Sequence, residues 1–163
     1  MDTRPLALAL ALVAGLPLAA PAHEEDEGHV TRIGDLEVIH AWARATEGPD
    51  GQVFMEIHNE GSADDQLLEA RFEGAEAVEI HGVTFEAGQT SSVELGPVKI
   101  PGAARFDLEP NGVFLKLIGL EAPLKQGQDF DMVISFREAG AAQIEVEIEA
   151  PDAMQHSHAG HEH

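Results

Sequence analysis

The chain has no cysteine and no tyrosine, a single tryptophan, and only 9 Lys and Arg against 30 Asp and Glu in 163 residues. The missing thiols exclude a disulfide framework, a thiolate nucleophile and a blue-copper centre, which needs a Cys sulfur. Stability must therefore come from the packed core. The shortage of basic side chains gives a formal net charge of −21. Such a chain is repelled by nucleic acid and by anionic membrane surfaces, and it favours cationic partners.

Long apolar runs are also lacking. The one hydrophobic stretch near the N-terminus is interrupted by Gly15 and Pro17, short of the about 20 residues that a spanning helix needs. It reads instead as a cleaved secretory signal. Met1-Asp2-Thr3-Arg4 is the charged n-region, Leu6 to Ala14 the apolar h-region, and the small residues Ala19 to Ala22 the cleavage region. Removal of residues 1–22 predicts a periplasmic protein of 141 residues, one domain in size, with no membrane insertion. Cleavage after Ala22 would make His23 the first residue. Its free α-amine and its imidazole Nδ1 can then chelate one metal ion, and a second histidine completes a T-shaped histidine brace. Planar nitrogen donors favour Cu(II).

Past the signal, apolar residues recur with a period close to two, which predicts half-buried strands. Ile144, Val146 and Ile148 alternate with Gln143, Glu145, Glu147 and Glu149. Phe130, Met132, Ile134 and Phe136 form the strand before them, with a turn over Glu138-Ala139-Gly140-Ala141, so the pair reads as a terminal hairpin. Further strands are predicted over 36–43, 52–58, 66–72, 77–85, 91–95, 104–108 and 113–118. Turn clusters such as Glu47-Gly48-Pro49-Asp50-Gly51 and Pro110-Asn111-Gly112 separate them. No helical pattern of useful length is present. Many short, regularly spaced strands predict an all-β antiparallel sandwich. The expected organisation is signal 1–22, acidic His-containing arm 23–35, sandwich 36–150 and flexible His-rich tail 151–163.

Histidines gather outside the strands. His23 and His29 lie in the arm, and His156, His158, His161 and His163 in the tail, leaving His40, His58 and His81 in the body. Imidazole is the commonest metal ligand, so the tail histidines are candidate secondary ligands for copper or zinc. His40 alternates with Leu36, Val38 and Trp42 on one strand, which fits either a ligand or a satisfied strand-end histidine. His81 fits a ligand or an unliganded surface residue equally well. His58 precedes a turn and reads as structural. The Glu24-Glu25-Asp26-Glu27 run is a solvated linker that also concentrates cations.

Three stretches carry a family resemblance: Gly34 through His40-Ala41-Trp42 to Thr46, Val53 to Asn59, and Leu124 to Phe130, with Val78-Glu79-Ile80-His81 and Gly119-Leu120 in register between them. Across residues 34–149 the chain resembles the PCu(A)C periplasmic copper chaperones. The resemblance implies a cupredoxin-like Greek-key β-sandwich that delivers copper to cytochrome oxidase or another periplasm-facing cuproprotein. It also implies a Cu(I) site made of a His, a Met about ten residues later and a His-x-Met. Here the His is His81, the Met position falls on Ser91 or Ser92, and the His-x-Met falls on Phe114-Leu115-Lys116. Without thioethers Cu(I) is poorly held. A subset of the family is similar in another way, with a mature N-terminal His, Gly-Asp-Leu and a His-Pro-Trp-like tripeptide forming a histidine brace. This chain has His23, Gly34-Asp35-Leu36 and His40-Ala41-Trp42. That likeness implies His23 and His40 as ligands, with His81 as a candidate third.

The sequence thus predicts a copper-binding protein that stores or hands on Cu(II), and not an enzyme. It has no Gly-x-Ser-x-Gly elbow, phosphate loop or zincin helix. Two rivals remain in view. One is a zinc or copper buffer acting through the tail; the other is a histidine-brace oxygenase, which eight aromatic residues serve poorly as a sugar-binding surface.

Overall fold

The computed structural model describes residues 29–157. The signal segment, His23, His158, His161 and His163 lie outside them. The described residues form eleven strands: β1 (Val30–Ile33), β2 (Leu36–Arg44), β3 (Gly51–Asn59), β4 (Asp65–Arg71), β5 (Ala75–Glu86), β6 (Gln89–Glu94), β7 (Val98–Ile100), β8 (Ala104–Leu108), β9 (Val113–Leu120), β10 (Asp129–Phe136) and β11 (Gly140–Glu149). No helix occurs among them. The hydrogen-bonded order is β6-β5-β9-β8-β3-β2-β11-β10-β4-β7, with β1 beside β2 and β9 also against β3. The strands wrap into a β-sandwich around one apolar core that includes Val38, Ala43, Val53, Ile57, Leu115, Ile134 and Val146.

The β10–β11 hairpin forms in the register that the alternation implies, with Met132 opposite Ile144 and Ile134 opposite Ala142. Gly140 closes it at φ +93°, a conformation that side-chain-bearing residues rarely adopt. The strands depart from the expected pattern in several places. The sheet is mixed, because β11 runs parallel to β2, pairing Glu147 with Trp42 and Glu149 with Arg44. These strands come from opposite ends of the body, so no tight turn fixes their relative direction. A strand, β1, also stands where an arm was expected; Val30–Ile33 pairs antiparallel with Leu36–Ile39 through a turn at Gly34 (φ +58°).

A bulge in β2 sets up the functional face. The β2–β3 register shifts between Ile39 and Trp42, and His40 sits there at φ +48°. An extra residue reverses every side chain beyond it. Leu36 and Val38 therefore point into the main core with Ala41 and Ala43, not with Trp42. The expected continuous alternation of Leu36, Val38, His40 and Trp42 fails at this residue. Trp42 instead joins Phe54 and Phe114 in a separate buried cluster on the opposite face.

Candidate metal centre

The register carries one outward face across six strands. Glu147 and Glu149 on β11 lie beside Trp42 and Arg44 on β2, and Trp42 lies beside Phe54 on β3. Gln52 pairs with Lys116, Phe114 with His81 and Lys116 with Glu79, and His81 with Glu94. Histidine-bearing regions occupy the two ends of this face, joined by ring contacts: His81 to Phe114 at 5.8 Å, Phe114 to Phe54 at 6.3 Å and Phe54 to Trp42 at 4.5 Å.

At the β5 end, His81 is 7% exposed. Its Nε2 lies 2.8 Å from Glu79 Oε2 and its Nδ1 3.3 Å from Ser92 Oγ. Ser92, Phe114 and Lys116 line one cavity, and they share the His81 face by register. The four positions at which the resemblance implies His and Met ligands are thus brought together. Three of them hold a hydroxyl, a phenyl ring and an ammonium, none of which is a soft donor. Both nitrogens of His81 already have partners.

At the β2 end, the bulge turns His40 into a cavity of about 510 Å³ shared with Trp42, Glu56, Asp107, Met154 and His156. Holding a non-glycine residue in the left-handed region costs about 1 kcal/mol or more. The His40 ring stacks on that of His156, with centroids 5.2 Å apart and planes 6° apart. Burial first, then the neighbouring His156, hold the His40 pKa below its ordinary value, against a weaker upward pull from Glu56. The ring is consequently neutral at pH 7, with a lone pair available to a metal. His40 N–H also donates to His29 O at 3.1 Å, so the N-terminal arm enters the described structure beside His40.

Residues 153–157, in the described part of the C-terminal segment, make contacts on this face. Arg44 Nε donates to Ala153 O at 2.8 Å and Arg44 also reaches Met154 Sδ at 3.1 Å. Ser157 donates from both N–H and Oγ to Glu149 Oε1, at 2.9 and 2.6 Å. His156 is 4% exposed, with Nε2 2.7 Å from Glu147 Oε2. His29 places Nδ1 2.9 Å from Glu145 and Nε2 2.9 Å from Glu147. The structure therefore brings His40, His156 and His29 together and leaves His81 at the far end of the face. His58 lies elsewhere, on β3, paired in register with Glu37 and 3.4 Å from Glu56.

Residues 36–148 match the family model described as "Putative lipoprotein LpqE-like". The chain belongs to the LpqE-like family. A lipoprotein-named relative from Leifsonia xyli subsp. xyli is 24% identical over 135 residues, 82% of this chain and 80% of its own. Among solved structures, the apo PCuAC domain of PmoF1 is 28% identical, with TM-score 0.65 over 76% of this chain and 100% of that domain. The copper-bound PCuAC domain of PmoF2 is 22% identical, with TM-score 0.66 over 76% and 99%. This LpqE-like chain shares the β-sandwich of those PCuAC domains.

Proposed function

We propose that this LpqE-like protein binds Cu(II) outside the cytoplasm and stores it or hands it to a recipient cuproprotein. The ligands are the α-amine and imidazole of His23, exposed by signal cleavage, together with the imidazole of His40. The observation that carries this reading is the His40 N–H to His29 O hydrogen bond. It anchors the arm beside His40, and His23 lies six positions before that anchor, with five residues between them. An extended chain of that length reaches about 20 Å, ample for the terminal residue to return to the His40 ring. The strained bulge supports the same reading, since backbone strain of this kind collects at functional sites.

The PmoF2 domain, whose fold is similar, is copper-bound. We carry that metal to this chain because the donors at the His40 end are imidazoles, which suit Cu(II). His81 is left out of this ligand set, since it lies at the far end of the face and shares its surroundings with a hydroxyl, a phenyl ring and an ammonium. Transfer to a partner proceeds by ligand exchange at a coordination position that the brace leaves open. The family and its Leifsonia member carry lipoprotein names. This sequence has no Cys to bear a thioether- or thioester-linked lipid, so a cleaved signal and a free α-amine fit it better than an acylated N-terminus.

The deciding experiment is a Cu(II) titration, under Zn(II) competition, of the chain beginning at His23 and of the same chain with one extra N-terminal Ala. Loss of one tight copper equivalent on adding Ala is the expected result. Equal binding by both chains would refute the brace and move copper to the tail histidines.

A further inference from the structure

β11 presents Glu145, Glu147 and Glu149 on one face, successive members about 6.6 Å apart along the strand. Like charges repeated on one face are destabilising unless something neutralises them. Both ends of the described segment converge on this ladder: His29 lies against Glu145 and Glu147, and His156 against Glu147 at 2.7 Å and Glu149 at 3.6 Å. Glu147 is shared, one carboxylate oxygen facing each imidazole. Glu147, Glu149 and His156 each offer one ligand atom, all within 4.8 Å of one another. The buried member is the imidazole, so the group is more than an exposed acidic patch.

We propose that Glu147, Glu149 and His156 form a second divalent-cation site, of the zinc type, that clamps the C-terminal segment onto the sheet. One imidazole nitrogen with two carboxylate oxygens is a three-ligand set that Zn(II) accepts, a water or another donor taking the fourth position. His29 and Glu145 flank Glu147 and orient it. The cation bonds residue 156 to β11, and the His156 ring stacks on His40. Occupancy of this site therefore fixes the wall of the His40 cavity. The site is independent of the copper reading, because it uses neither His23 nor the His40 nitrogens.

The test is a Zn(II) titration of the chain from His23 to His163, with His158, His161 and His163 each replaced by Ala to silence the rest of the tail. One Zn(II) equivalent is expected, weakened at least about tenfold by Glu149→Gln and by His156→Ala, and unchanged by an added N-terminal Ala. Glu145→Gln, which alters a carboxylate that holds His29 beside Glu147, weakens it by about tenfold, the low end for a residue that does not touch the ion. Absence of that equivalent, or its persistence in both ligand variants, overturns the proposal. Should either variant unfold, NMR of the unsubstituted chain decides: Zn(II) shifts the His156 ring signals in the proposed site and leaves them unmoved otherwise. Failure of the brace shows only in the Ala-extended chain, so the two readings fail separately.

Discussion

The two ends of the outward face carry the same residue type in opposite conditions. His81 sits in regular strand, buried, with a partner on each nitrogen. His40 sits at a bulge in a strained conformation, in an open cavity, with a second imidazole stacked on it and the N-terminal arm bonded to its backbone. The same residue type at a family-type position and at a bulge thus meets different donors. Whether soft or hard donors surround the ring sets which ion it suits.

The aromatic cluster lies between the two ends, and removing its buried centre should produce the largest effect. Phe54 is fully buried against Trp42 and Phe114, and Arg44 lies over its ring at 5.5 Å. Phe54→Ala is expected to cost about 3–5 kcal/mol of stability, measured by chemical denaturation. A loss under about 1 kcal/mol would mean that the ring contributes little to holding the face between the two ends.

His40→Asn sharpens the contrast directly, because Asn tolerates the left-handed conformation yet removes the imidazole. Cu(II) affinity is expected to fall about 100-fold, equivalent to about 2.7 kcal/mol, with the melting temperature nearly unchanged. His81→Asn should do the reverse, lowering stability by about 1–3 kcal/mol through the broken Glu79 contact and leaving Cu(II) binding intact. Equal copper loss in both variants would erase the distinction between the ends.

The His81 end can also be converted. Ser92→Met, Phe114→His and Lys116→Met together place two thioethers and an imidazole on the His81 face, where the register already aligns the positions. The triple variant is expected to retain Cu(I) against a chelator that strips the parent chain, since thioethers hold that ion. No gain would show that the cavity, and not only its donors, had been lost.

Much of this arrangement was legible in the sequence, and what was not has physical causes. Period-two alternation marked the β10–β11 hairpin and most other strands, because each has one core-facing side. It missed Val30–Ile33, where apolar residues fall at both ends of a four-residue strand, and Val98–Ile100, a three-residue strand between Pro97 and Pro101. The bulge at His40 was hidden because an inserted residue leaves no composition signal, and periodicity alone places His40 with Trp42. His81 was visible as the family-type position, but its Glu79 and Ser92 partners depend on side-chain placement. Docking of His156 was illegible in a tail without period. Its burial requires β11 and β2 to lie side by side, a parallel pairing of distant segments. The acidic alternation at Glu145, Glu147 and Glu149 was the one available hint.

The smallest effect separates the ends by pH. Burial and then His156 hold the folded-state pKa of His40 below 6.5, so between that lowered value and 6.5 the unfolded chain binds more protons at this residue. Stability therefore declines as pH falls from 6.5 toward the folded pKa and levels off below it. In metal-free protein, His40→Asn should flatten this part of the stability profile relative to the parent chain, measured by urea unfolding at successive pH values. His156→Ala removes the neighbouring imidazole that pushes the His40 pKa down, and it should move the NMR titration midpoint of His40 upward. A midpoint that stays in place would assign the depression to burial alone and remove the stacked ring from the account of why His40 is kept neutral.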